Sequence, residues 1–155
     1  MVALKPSVLN LILATLATAN PLPSAESTNT TSVKAPAAQQ LVCTINRNTA
    51  LTFTEREVRA NLLRFPDATG ASGFPHYFSN YEHFFWDYNK PDCDAASLLE
   101  MPVFTDGHLY DWDRTPRPGP GPVRLVYFAD GDERTFCGLV AHRAEAGYFE
   151  KCAQA

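Results

Sequence analysis

The clearest alternation of apolar and polar positions lies between Gly121 and His142. Gly-Pro-Val-Arg-Leu-Val-Tyr-Phe leads into a mostly polar turn, Ala129 to Arg134, and then into Thr-Phe-Cys-Gly-Leu-Val-Ala-His. Two β-branched and aromatic runs flanking a turn that contains Asp130-Gly131 predict a β-hairpin. A period of two puts Arg124, Val126 and Phe128 on one face of the first strand, and Phe136, Gly138, Val140 and His142 on one face of the second. With Arg124 opposite Val140 or Gly138, Arg124 and His142 share a sheet surface. A one-residue slip would separate them. A fixed cation and a titratable imidazole on one surface suit a phosphate.

The remaining pattern supplies the elements around this hairpin. Leu41-Val42-Cys43-Thr44-Ile45 reads as a short strand. Thr54-Glu55-Arg56-Glu57 is a capping box, and Val58, Leu62 and Phe65 recur behind it at helical spacing. Together they predict a helix over 55–64 that stops before Pro66. Asp67 to Gly73 is a loop, and Pro75 biases Phe74 towards an extended conformation. Leu98 to Phe104 is a strand in which Pro102 marks an edge, a bulge or an end. Thr105 to Pro122 is a Pro- and Gly-rich loop, and Gly147 to Cys152 is a last short strand. The sum is an α+β domain, one α-helix packed on a twisted, mainly antiparallel β-sheet.

The N-terminal pattern differs. Residues 1–19 have Lys5, a short apolar run from Val8 to Leu16, and small residues at Ala17-Thr18-Ala19. These are the parts of a signal peptide, too short to span a membrane, and no later stretch is long enough. A secreted, extracellular protein without a membrane anchor is expected. Residues 20–40 are rich in Ser, Thr, Ala and Pro and read as a flexible leader, with a glycosylation sequon at Asn29. The folded domain is then 41–155. Its four cysteines, Cys43, Cys93, Cys137 and Cys152, allow three pairings in a secreted chain. None has the close spacing of a zinc or redox site, so no metal or other cofactor is expected. The formal net charge of −4 becomes one unit more negative if Lys5 leaves with the signal. A broad basic groove for nucleic acid is excluded, and any such contact must be local.

Four residues have the parts for chemistry on a phosphate: His76, Glu100, Arg124 and His142. They combine a base, an acid and a cation. Buried alone in a strand, Glu100 or Arg124 would be costly, so each reaches solvent or faces the other. The plainer reading of that pair is a structural ion pair on a sheet surface.

At this point the sequence resembles the fungal extracellular guanyl-specific ribonucleases and their relatives the ribotoxins, of the α-sarcin and hirsutellin kind. The resemblance covers about Leu41 to Cys152. It rests on Phe74-Pro75-His76, Leu98-Leu99-Glu100-Met101-Pro102, Asp106-Gly107-His108, Pro120-Gly121-Pro122-Val123-Arg124 and Phe136 to His142, in that order and spacing. It implies that Glu100 is the general base towards the ribose 2′-OH and His142 the general acid towards the leaving 5′-oxygen. It also implies that His76 assists the base, Arg124 stabilises charge on the phosphorane-like transition state, and Phe149 lies against the phosphate. Phe78 to Glu82 would be the base-reading loop. There Tyr81 stacks on guanine, Glu82 accepts its N1 and N2 hydrogens, and Asn80 helps to fix the base edge beside Phe78. The implied disulfides are Cys43–Cys152 and Cys93–Cys137. Two departures stand out. Phe74 replaces a frequent tyrosine, and the stretch from Glu82 to Cys93 is short, with Lys90 its only lysine.

The reading that follows is a secreted, monomeric, metal-independent endoribonuclease. It would cleave single-stranded RNA 3′ to guanosine by transphosphorylation to a 2′,3′-cyclic phosphate. Two alternatives remain: a ribotoxin that cuts the sarcin–ricin loop of the ribosome, and a ribonuclease-like effector that binds RNA or host protein with little catalysis.

Overall fold

The structure, a computed structural model, describes residues 38–86, 90–95, 97–144 and 147–155. The expected signal segment, nearly all of the leader and the Asn29 sequon lie outside these residues. In chain order the elements are β1 (Gln40–Asn46), β2 (Thr49–Thr54), α1 (Glu55–Leu62), β3 (His76–Tyr77), α2 (Pro91–Ala95), β4 (Leu99–Pro102), β5 (Val123–Asp130), β6 (Glu133–His142), β7 (Phe149–Lys151) and β8 (Ala153–Gln154). No helix among the described residues is long and apolar enough to cross a membrane.

The expected hairpin is the β5–β6 pair, and it forms the middle of a five-stranded antiparallel sheet ordered β3-β4-β5-β6-β7. A second sheet, β2-β1-β8, was not foreseen. In β2, Leu51 and Phe53 alternate with threonines, and the strand pairs back on β1 across a turn without glycine. The short α2 is also additional to the one expected helix. The α+β class stands, with two sheets and two helices among the described residues.

Thr54 caps α1 as its sequence suggests. Its hydroxyl oxygen accepts from the amide of Glu57, and the hydroxyl in turn donates to the Glu57 carboxylate. The helix ends at Leu62, two residues earlier than expected, because Arg64 and Phe65 turn back on the carbonyls of Asn61 and Leu62. Val58, Leu62 and Phe65 bury themselves in the main core with Leu125, Tyr127, Phe136 and Leu139, on one face of the large sheet. The alternate residues, Val126 and Val140, join Phe78, Trp86, Leu98, Cys93 and Cys137 in a smaller cluster on the opposite face.

One part of the predicted facing is corrected. Arg124 does lie opposite Val140, but a β-bulge between Val126 and Tyr127 places two residues of β6, Cys137 and Gly138, where one would normally stand. Beyond it the alternation changes hand. Phe136 therefore enters the helix-side core under the Arg59 guanidinium, not the face shared by Val140 and His142. The bulge turns Cys137 to the other side, where it bonds to Cys93 at the start of α2. Cys43–Cys152 joins β1 to the residue between β7 and β8.

Candidate active site

The sheet register assembles the four candidate residues. His76 on β3 pairs with Glu100 on β4, Glu100 pairs with Val126 on β5, and Arg124 lies two residues along β5 on the same face. That diagonal offset is within reach of long side chains. At the far edge His142 pairs with Phe149 on β7. All of this lies on the face away from α1, because Val123, Leu125 and Tyr127 carry the helix-side core.

Glu100 is only 6% exposed. Its Oε1 lies 3.4 Å from His76 Nδ1, and its Oε2 lies 3.8 Å from Arg124 Nε. Oε2 is buried and accepts no hydrogen bond. Burial pushes the Glu100 carboxyl above the usual carboxylate range. The charges of His76, Arg124 and Arg117 pull it back only in part, and Glu82 adds to the upward push. A carboxylate in that condition is a better base than a solvated one.

Arg124 is held by its own loop. Its Nη1 donates to the carbonyls of Pro120 and Gly121 at 2.9 Å and of Val123 at 3.1 Å. The Pro-Gly-Pro-Gly-Pro run thus acts as a cradle of carbonyl oxygens around one guanidinium. Burial lowers the arginine's proton affinity, and Glu100 restores part of it. His142 is exposed, with its backbone amide donating to Pro122 at 2.7 Å and its ring edge-on to Phe149 at 5.3 Å.

The loop after β3 stands beside this group. Phe78 is buried beneath it, against Trp86 and Phe149. Asn80 takes a positive φ of 40°, which asparagine tolerates better than most residues. Its side-chain oxygen accepts from the Phe84 amide at 2.8 Å while its amide donates to the Phe84 carbonyl at 3.2 Å. Asn80 therefore shapes the loop with its side chain. Tyr81 is 83% exposed, a free aromatic face. Glu82 Oε1 accepts from the Phe149 amide at 2.8 Å. That bond joins the loop to β7, and nothing in the sequence signalled it.

A cavity of about 200 Å³ is lined by Phe78, Asn80, Tyr81 and Glu82 on one side and by Glu100, His142 and Phe149 on the other. The base-reading and acid–base candidates thus share one cavity. A larger cavity of about 680 Å³, near Trp86, Lys90 and Gln154, contains no acid–base pair, so size does not identify the site. Sequence reasoning also missed Arg117. It lies in the Pro-rich loop, 4.7 Å from the centre of the Phe74 ring. Its placement follows from loop packing, which no periodicity announces.

A buried carboxylate, a carbonyl-cradled arginine and two histidines, on the open face of an antiparallel sheet backed by one helix, form a site equipped for acid–base chemistry at a phosphate. This is a small, disulfide-linked α+β fold carrying a candidate nuclease site. Comparison with known proteins agrees. A family model described as ribonuclease matches residues 26–153. Ribonuclease clavin from Aspergillus clavatus is 30% identical over 94% of this chain and 94% of its own. Guanyl-specific ribonuclease U1 from Ustilago sphaerogena is 36% identical over 50% of this chain and 63% of its own. Among solved structures, the Aspergillus ribotoxin restrictocin superposes with a TM-score of 0.61 at 27% identity, covering 74% of this chain and 99% of that one. A second restrictocin structure, in complex with a 29-mer sarcin/ricin domain RNA analog, gives 0.59 at 26% identity and the same coverage. The chain belongs to the ribonuclease family.

Proposed function

We propose that this ribonuclease is a secreted endonuclease that cleaves RNA 3′ to guanosine and leaves a 2′,3′-cyclic phosphate. The observation that carries the reading is the shared cavity. Glu100 and His142 line the same space as Tyr81 and Glu82. A base stacked on Tyr81 brings its own ribose and 3′-phosphate towards the two proton-transfer groups.

The chemistry follows from the residues. The 2′-OH is an internal nucleophile, so the protein has only to move protons and stabilise charge. Glu100 takes the 2′-OH proton, its basicity raised by burial. His142, exposed at the opposite edge of the site, gives a proton to the departing 5′-oxygen. Arg124 is held in place by three carbonyls and stabilises charge on the pentavalent phosphorus. His76, 3.4 Å from Glu100, supports the carboxylate and faces the phosphate. Phe149 closes the edge and excludes water. At the base, the second carboxylate oxygen of Glu82 accepts from the guanine edge while the first holds the Phe149 amide.

The mature protein, in EDTA, is expected to convert a GpN dinucleotide to guanosine 2′,3′-cyclic phosphate. It should do so faster than the corresponding ApN. His142→Gln should lose about 10²- to 10⁴-fold in kcat, the usual contribution of a positioned acid or base. Absence of wild-type cleavage from mildly acidic to neutral pH would refute the reading.

The likeness to restrictocin, itself solved with a sarcin/ricin RNA analog, supports a second reading in which the target is that loop of the ribosome. Intact ribosomes separate the two. A single discrete fragment of large-subunit RNA marks a ribotoxin, and general degradation marks a broad ribonuclease.

A further inference from the structure

The Phe74 ring, 1% exposed, is the common neighbour of His76 and two arginines. His76 stacks on it at 4.5 Å with 24° between the rings. The Arg124 guanidinium lies 5.4 Å from its centre and the Arg117 guanidinium 4.7 Å. An aromatic ring attracts cations and gives them no hydrogen bond. The two arginines are held very differently. Arg124 is buried, with Nη1 engaged by three carbonyls and Nε turned to Glu100. Only its other terminal nitrogen can serve a ligand. Arg117 is exposed, and its guanidinium makes no hydrogen bond or ion pair with any described residue.

Two guanidinium groups on one ring repel each other, and Arg117 indeed disfavours the charge on Arg124. The Glu100 carboxylate attracts both, and it lies beneath the surface. A planar fork of donors, oriented by stacking but otherwise unengaged, matches a phosphate in shape and charge.

We propose that Arg117 is a second phosphate-binding residue of this site. It would contact the non-bridging oxygens of the reacting phosphodiester from solvent while Arg124 contacts them from within. This rests on the proposed ribonuclease site and adds a residue to it. An incoming phosphate relieves the repulsion between the arginines and gives Arg117 its hydrogen-bond partners. Because Arg117 approaches from the open side, it acts on the bound substrate and on the transition state alike, so its removal raises KM and leaves kcat nearly unchanged.

The test uses a dinucleotide, which has one phosphate, so that contact with a neighbouring backbone phosphate cannot contribute. Arg117→Ala and Arg117→Gln are expected to lower kcat/KM on GpN by about 10- to 100-fold, the size of one charge-assisted contact. Arg117→Lys should recover part of the loss, and the thermal midpoint of all three should stay near that of wild type. Inorganic phosphate, titrated while the His76 and His142 ring protons are followed by NMR, should bind R117A more weakly than wild type. Equal cleavage of GpN and equal phosphate affinity in wild type and R117A would overturn the proposal. If wild type itself fails to cleave GpN, the proposed function falls. The phosphate titration then still decides for or against Arg117.

Discussion

Glu100 shows how stability and chemistry oppose each other at a single residue. Its carboxyl is raised because burial outweighs the attraction of His76 and Arg124. A carboxyl raised on folding binds more protons in the native state than in the unfolded one between the two pKa values. Stability therefore falls as pH rises through that window, and the loss persists above it. Glu100→Gln removes the ionisation while keeping the shape. The variant should unfold at a higher temperature than wild type at neutral pH, with the difference shrinking on acidification below the usual carboxylate range. It should also lose most of its activity on GpN. Melting both proteins across pH checks the sign, and a variant less stable than wild type at neutral pH would contradict it. Glu100, Arg124, His76 and His142 were legible in the sequence because each occupies a short, distinctive segment whose order is informative. Arg117 and the Glu82–Phe149 bond were not. Each depends on where a loop comes to rest on a residue far along the chain, 43 positions from Phe74 to Arg117 and 67 from Glu82 to Phe149.

Among the elements, β6 carries the most information per residue. Its bulge lets one strand serve both faces, with Phe136 towards α1 and Cys137 towards α2. Simple alternation could not reveal this, because the extra residue at Cys137 shifts the period by one. Gly138 then leaves a gap that Trp86 fills. A Cβ built there would lie 2.6 Å from Trp86 Cζ3. Trp86 in turn closes the loop that begins at Phe78, the two rings meeting edge-on at 6.1 Å. Gly138→Ala must therefore displace the indole or the strand, at about 1–3 kcal/mol for overpacking. The expected outcome is a lower unfolding midpoint, red-shifted tryptophan emission and a raised KM for GpN. Unchanged emission with full stability would show that the indole does not seal the loop against β6. The sequence left the hairpin register open between Val140 and Gly138 opposite Arg124, and the structure has Val140 there.

At the scale of the molecule the balance of charge decides how RNA is held. Seventeen acidic residues against 13 basic ones give −4, so the surface as a whole repels a polyanion. On the proposed reading, attraction comes from the patch around Phe74, where Arg117 and Arg124 stand with His76. A protein that binds through many phosphate contacts loses affinity steeply with salt, at about 0.7 log units per contact per log unit of salt for single strands. Arg117 and Arg124 meet the same phosphate, so the proposed site predicts a slope no steeper than about −0.7 in log(kcat/KM) against log salt. Lengthening the substrate beyond a few nucleotides should change that slope little, because the net charge of the whole chain is negative. Steady-state rates on GpN and on a longer single strand, across salt concentrations, provide the measurement. A slope that steepens with each added phosphate would reveal further phosphate contacts along the strand. Arg117→Ala should make cleavage less sensitive to salt, which separates a phosphate contact from a purely structural role at the Phe74 ring. On the proposed reading, with the net charge negative, recognition of a large RNA would rest on the shape of the loop presented to Tyr81 and Glu82, and high salt should slow ribosome cleavage no more than it slows GpN cleavage.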